Sequence, residues 1–403
     1  MLVSLKKLIA IFNNQNPSKW GKGTGLLWRG NTLASYWQAL LMGIPAKDGA
    51  ESSRFLFESC RVAIYHFAKF SGVQSGDKVQ VMGFTCDAVT DALLALNCDV
   101  ELYDCDIEMR CPSFQILENT TLIVSQVSFG VAALSDEVLA EASSRGIAIL
   151  LDKSLSYGIR DFDDVDDTIY PTVLSFEVSK SVTIGWGGLL IFPASGNLIG
   201  FKGYYNELKE ISILDDMSRV LRTAVNLAMV KNGSIYRYWI WLILRGLGWH
   251  RASVRSSGVK YKTRSIMGPL SKRVFESLSP EIPSLLERSN NNHERLRLAL
   301  ESLGLKVISR IDRQYSSPRI VFLVHKDVKL SLCEWLNKDS VEMGIWFDQM
   351  PILGYYNATE KLSGTTELMN RVVNLSCHWS ISSVEIDKMI ESVGCFFAES
   401  DHV

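Results

Sequence analysis

The sequence lacks most of what would mark a metal-binding, membrane-spanning or nucleic-acid-binding protein. Its eight cysteines (Cys60, Cys86, Cys98, Cys105, Cys111, Cys333, Cys377 and Cys395) form no CxxC pair, and none lies near a histidine at zinc-finger spacing. They read as buried free thiols. The six histidines (His66, His250, His293, His325, His378 and His402) show no ligand-like clustering, so no metal is expected. The apolar stretch Tyr236 to Trp249 is too short and too interrupted by arginine to span a bilayer. The start, Met1 to Asn13, carries Lys6 and Lys7 but neither a long apolar core nor a small-residue cleavage site, and reads as an amphipathic helix of a cytoplasmic protein. No low-complexity stretch and no internal repeat occurs. With a net charge of −2 and no helix-turn-helix or zinc module, nucleic acid is not an expected partner.

What is present describes a globular α/β chain. The 403 residues, 47% hydrophobic and 21% charged, suit one large domain with a smaller companion. From Phe55 to Leu190, helical stretches (Val62 to Phe70, Asp87 to Leu96) alternate with short apolar runs (Val79 to Met82, Val100 to Tyr103, Leu122 to Val127, Ala148 to Leu151). That alternation predicts βαβ units and a mainly parallel sheet. Turn signals fall between them, at Ser75-Gly76-Asp77 and Ser144-Arg145-Gly146. A further strand is expected at Leu189 to Phe192. From Pro280 onward a second alternation predicts a small α+β domain, with helices at His293 to Leu303, Lys329 to Asn337 and Ser383 to Val393 and strands at Arg319 to His325 and Val372 to Leu375. The expected organisation is a wrapping segment over residues 1–50, a large domain over 51–275 and a small domain over 276–403.

One segment interrupts the pattern. Between Arg219 and Arg273 stand twelve basic residues and no acidic one, interleaved with Tyr236, Tyr238, Trp239, Trp241 and Trp249. The chain sums to −2, so the remainder carries −14. Three partners suit such a segment: acidic patches of a second subunit, an anionic membrane surface, and the phosphates of a substrate.

The residues with chemical potential cluster around one lysine. Lys180 follows an apolar strand (Thr172 to Phe176) and precedes Gly185-Trp186-Gly187-Gly188, a context that suits a partly desolvated amine able to hold a carbonyl cofactor as a Schiff base. Asp152 follows Ile147 to Leu151 and emerges at the carboxyl edge of a parallel strand, where open α/β sheets place their ligands. A lysine and a carboxylate are the pair pyridoxal phosphate needs: one to hold it, the other to keep its pyridine nitrogen protonated. Ser59, Cys60 and Arg61, just before the helix expected at Val62, offer free backbone N–H groups for a phosphate, and Ser175 offers a hydroxyl.

The ordered set Glu58 to Ile64, Gly76 to Val79, Phe84-Thr85, Asp104 to Asp106, Phe129-Gly130, Asp152 to Gly158, Ser175 to Lys180 and Gly187-Gly188 resembles the landmarks of the DegT/StrS family of sugar aminotransferases. The resemblance covers roughly Phe55 to Phe192, and Val372 to Trp379 looks like that family's closing segment. It implies an aspartate-aminotransferase-like fold (fold type I, a pyridoxal-phosphate-dependent transferase) and a homodimer with active sites at the subunit interface. It also implies transfer of an amino group, usually from L-glutamate, to a nucleotide-linked keto-sugar, as in surface-polysaccharide or secondary-metabolite synthesis. Lys180 takes the covalent and proton-shuttling role, and lysine rather than histidine there implies transamination rather than sugar dehydration.

Three positions depart from the family. Cys86 stands where an aromatic ring stacks on the cofactor, leaving Phe84 as the neighbouring ring. Leu155 replaces a glutamine that bonds the cofactor's ring hydroxyl, leaving Ser154 or Ser156 for that contact. Trp186 replaces a glutamate in the Gly-Glu-Gly-Gly run. The alternatives to a sugar aminotransferase are another pyridoxal enzyme acting on an amino acid, a decarboxylase or lyase, and a catalytically silent relative serving as a membrane-associated or scaffolding protein.

Overall fold

The computed structural model describes residues 53–158, 169–177, 180–193, 196–219, 266–311, 315–339, 341, 343–344, 347 and 362–399. The expected N-terminal wrapping segment and nearly all of the basic, tryptophan-rich stretch lie outside these residues.

Apolar strands in the first half are buried on both faces, which is why they read as continuous apolar runs. In chain order the elements are β1 (Arg54–Phe57), α1 (Cys60–Phe70), β2 (Lys78–Met82), α2 (Asp87–Leu94), β3 (Asp99–Tyr103), β4 (Thr120–Ser128), β5 (Val131–Ala132), α3 (Asp136–Ser144), β6 (Ala148–Asp152), β7 (Thr172–Ser175) and β8 (Gly188–Ile191). The sheet runs β1-β8-β7-β6-β4-β2-β3, with β5 folded back on β4. Pairs β2–β3, β2–β4, β4–β6 and β6–β7 are parallel, whereas β8 is antiparallel to both β7 and β1. Successive residues of β4 serve opposite faces: Leu122 and Val124 join the core beneath α1 and α2, and Ile123 joins the one beneath α3.

After β8 come α4 (Leu198–Asn206), α5 (Pro269–Leu278), α6 (Ile282–Ser302), β9 (Lys306–Val307), β10 (Arg319–Leu323), α7 (Lys329–Lys338), β11 (Met343–Gly344), α8 (Ser363–Arg371), β12 (Val372–Ser376) and α9 (Ser383–Glu399). The second sheet, β11-β12-β10-β9, is antiparallel and packs its apolar residues against Leu296 and Leu300 of α6, Leu332 and Leu336 of α7, and Ile386, Met389 and Val393 of α9. Helix α5 runs across the boundary expected at 275/276.

Two helices differ from expectation for identifiable reasons. Helix α6 begins eleven residues before His293, because Ile282, Leu285, Leu286, Ser289 and His293 continue one buried stripe through a run that is polar in composition. Helix α8, not among the helices expected from the sequence, begins inside the Leu-Ser-Gly-Thr-Thr run, with Leu362 as its N-cap. Its N-terminus is satisfied from far away in sequence: Asp104 accepts from Gly364 N at 2.9 Å, Thr365 N at 2.7 Å and Thr365 Oγ1 at 2.7 Å. The Asp104 to Asp106 landmark is therefore a tie between the two sheets.

Other ties lie at the same end of the large sheet. Arg310 N donates to Phe129 O at 2.9 Å, and Tyr157 and Ser316 exchange backbone hydrogen bonds at 2.8 and 2.7 Å. At Gly130, with φ +83°, a Cβ would lie 1.5 Å from Arg310 O, so no side chain fits this turn. Together these contacts bring segments that flank the second sheet against the turns after β3, β4 and β6.

Candidate functional site

Strand β6 ends on Asp152, which pairs in register with Gln126 of β4 on one side and Val173 of β7 on the other. The carboxylate is buried, 4% exposed, and accepts from Ser154 N at 2.9 Å. Burial pushes its pKa up, against the opposing effects of the Ser154 N–H and hydroxyl, the Lys180 cation and the Gln126 side chain. An acid held this way gains from a cation that could share its site.

Lys180 is placed by a turn that closes on itself. Phe176 N donates to Gly187 O at 2.9 Å, Ile184 N to Phe176 O at 3.1 Å and Lys180 N to Glu177 O at 3.3 Å. Phe176 anchors the turn, fully buried with Leu174, Val182 and Ile184 and 4.8 Å from the Phe275 ring. The closing segment of the chain holds it from outside. Trp379 Nε1 donates to Ser181 O at 3.1 Å, and the buried His378, whose pKa burial pushes down to about 3, lies against the backbone of Ser181 and Lys180. Lys180 itself is half-buried, within electrostatic reach of Asp152, Cys60 and Cys86.

Helix α1 begins at Cys60, two residues earlier than expected, with Ser59 as an extended N-cap whose hydroxyl makes no capping bond. Ser59 O accepts from Ala63 N at 3.1 Å, so the helical ladder begins there and Cys60, Arg61 and Val62 form the first turn. This helix start sits directly on β8, whose Gly188 pairs with Ser175. A Cβ on Gly188 would lie 2.5 Å from Cys60 N and 2.6 Å from Cys60 Cα, both backbone atoms. Gly188→Ala is therefore expected to push the helix start away from Ser175, lowering stability by about 2 kcal/mol or more and weakening any anion bound there; thermal melting with and without pyridoxal phosphate checks both.

The remaining candidates divide. Arg61 is buried and reaches Asp91 of α2 at 3.8 Å. Burial raises the Cys60 and Cys86 thiols, which makes them neutral packing groups rather than nucleophiles. Cys86 caps the start of α2 within reach of Lys180 and Asp152. Phe84 does not join the site. It is fully buried in the core beneath α3, edge-on to Phe347 at 5.1 Å, because the turn after β2 aims it away from the strand ends. Leu155 packs in that same core, and Ser156 Oγ is taken by Gly130 N at 2.6 Å, which leaves Ser154, bonded to Asp152, as the hydroxyl beside the carboxylate. Trp186 donates to Ser271 Oγ at 3.0 Å, beside the buried Asp216 that caps α5.

Two residues went unforeseen. Tyr157, fully buried, lies against the Ser175 backbone, and Gln126 lies opposite Asp152. Gln126 carried no clear signal: its strand, Thr-Thr-Leu-Ile-Val-Ser-Gln-Val-Ser, also holds Thr120, Ser125 and Ser128 at buried positions.

An amine, a buried carboxylate, serine hydroxyls and an open helix N-terminus converge on the strand ends, and this donor set fits pyridoxal phosphate. The buried Asp152 acid, whose charge burial disfavours, is the group that a pyridinium would satisfy. No protein-family model matches the sequence, and no curated protein is detectably similar to it. Solved structures are. A DegT/DnrJ/EryC1/StrS aminotransferase from Brucella abortus superposes with a TM-score of 0.58 at 16% identity, over 92% of this chain and 91% of that one. The chain has the fold of the DegT/StrS sugar aminotransferases. The aminotransferase TlmJ from Streptoalloteichus hindustanus matches at 0.61 and 16% identity over 92% of both chains, and DesV from S. venezuelae, solved with a ketimine intermediate, at 0.64 and 15% over 92% and 95%. The likeness in fold thus spans about nine-tenths of the chain.

Proposed function

We propose that this protein is a pyridoxal-phosphate-dependent aminotransferase that moves an amino group from L-glutamate to a nucleotide-linked keto-sugar, for surface-polysaccharide or secondary-metabolite synthesis. The observation that carries the reading is the convergence of Lys180 and Asp152 at adjacent strand ends beside the open start of α1. Pyridoxal phosphate, when bound, supplies an electron sink for the carbon that loses its proton.

The rest is done by the chain. Asp152, buried at the end of β6, would pair with a pyridine nitrogen and keep it protonated. The N–H groups of Cys60 to Val62, with Ser59 and Ser175, receive the phosphate. Lys180 Nζ would hold the cofactor, and the same amine would take the proton from the substrate α-carbon and return it. Burial of the surrounding thiols and aromatics limits water, which protects the proton from exchange with solvent. The protein is proposed to work as a cytoplasmic homodimer. Two of the basic residues of the 219–273 segment, Arg219 and Lys272, pair with Glu58 and Glu210 of the same chain, so part of that positive charge is spent on docking the segment to its own domain.

The test is incubation with pyridoxal phosphate, L-glutamate and a panel of nucleotide-linked keto-sugars, read by mass spectrometry. Equal amounts of 2-oxoglutarate and an amino sugar are expected. Carbon dioxide released from the amino acid instead identifies a decarboxylase, and no turnover of any amino acid identifies a silent relative.

A further inference from the structure

Gln126 is a buried amide in a central strand of the large sheet. It lies near the carboxyl end of β4, 4% exposed, between β6 and β2 in the sheet. Its Nε2 donates to Thr85 Oγ1, and its side chain also supports the Asp152 carboxyl, its partner in strand register. Thr85 is itself 1% exposed, so the three polar groups form a buried row across the ends of β2, β4 and β6.

The carboxamide oxygen of Gln126 is buried without a hydrogen-bond partner. An unmet buried acceptor is costly, and such a group calls for a reason. Turning the amide over would bring its oxygen against the Asp152 carboxylate, so the orientation with Nε2 toward Thr85 and Asp152 is the favourable one. The side chain is kept for its donors.

We infer that Gln126 is a positioning residue that ties the Asp152 carboxylate to Thr85 and so sets how tightly this site grips the protonated ring nitrogen of a pyridine cofactor. The inference rests on the proposed pyridoxal-phosphate site. Ser154 holds Asp152 from its own loop. Gln126 holds it from the neighbouring strand, which is rigid, and a carboxylate fixed from both sides loses less freedom when it pairs.

The test is a binding cycle read by equilibrium titration rather than turnover. Pyridoxal phosphate and its 1-deaza analogue, whose ring nitrogen is replaced by carbon, are titrated into the wild type and Gln126→Met, with circular dichroism confirming the fold. Gln126→Met is expected to weaken pyridoxal phosphate about tenfold, the scale of one hydrogen bond to a charged group, and to leave the deaza analogue within about twofold, because Asp152 has nothing to pair with there. Equal weakening of both, or of neither, overturns the inference. Should Gln126→Met fail to fold, Thr85→Val removes the other anchor and must show the same selective loss in smaller measure; an unselective effect there also overturns it. A wild type that binds the two cofactors equally well, or neither, sinks the reading of the site itself and the inference with it.

Discussion

Lys180→Ala is expected to abolish the covalent attachment of pyridoxal phosphate and to reduce amino transfer by about 10⁴-fold, the upper end of what a positioned acid–base group supplies. The loss has two sources: the amine that captures the cofactor carbonyl and the base that moves the α-proton are the same atom, Nζ. Stability should barely change, because the side chain is only half-buried and the Lys180 N–H to Glu177 carbonyl bond at 3.3 Å survives in alanine. The melting temperature should stay close to wild type, within the roughly 0.5 kcal/mol usual for substitutions away from the core. Borohydride treatment followed by peptide mass mapping gives the decisive reading: the wild type should carry a reduced pyridoxyl group on Lys180, and the variant none anywhere. A modified lysine at another position in the variant would move the catalytic assignment there.

Asp152→Asn has opposite effects on stability and activity. Activity should fall by about 10²–10³-fold, the cost of removing one preorganised charge. The apoprotein should become more stable at neutral pH. Burial, the leading influence, raises the Asp152 pKa in the folded chain. The folded state therefore holds this proton more firmly than the unfolded state does, and the stability so gained is present at low pH and lost as pH rises through the ordinary aspartate value toward the raised one. Asparagine has no proton to lose. The variant without cofactor should melt above the wild type at pH 7, and the gap should close below about pH 4, where both side chains are neutral. Adding pyridoxal phosphate should raise the wild-type melting temperature more than the variant's, since only the wild type offers the pyridinium a partner. A variant less stable than wild type at pH 7 would show that the Ser154 and Gln126 contacts outweigh burial.

The large sheet is legible in the sequence because its strands are buried on both faces and its helices separate them at regular intervals. Asp152 and Lys180 were legible for a related reason: each stands where an apolar run ends, and strand ends are where this architecture gathers its chemistry. What escaped depended on distant pairing. Helix α8 is capped by Asp104 through about 260 residues of sequence separation, so its Ser-Gly-Thr-Thr start carries no local helix signal. Phe84 was misplaced because which way a ring points after a strand is decided by the turn, and that turn packs it against Phe347. Gln126 acquires meaning only from its register with Asp152 and its bond to Thr85, which no spacing along the chain reveals. The grip of His378 and Trp379 on the lysine turn joins residues about 200 positions apart.

Whether Lys180 and Asp152 form a working pyridoxal-phosphate site can be read from the visible absorption spectrum of the purified protein with pyridoxal phosphate, before and after L-glutamate. A lysine-linked cofactor band should appear and give way to the absorbance of pyridoxamine phosphate when glutamate is added. A protein that develops no such band at saturating pyridoxal phosphate would show that the two residues form no such site.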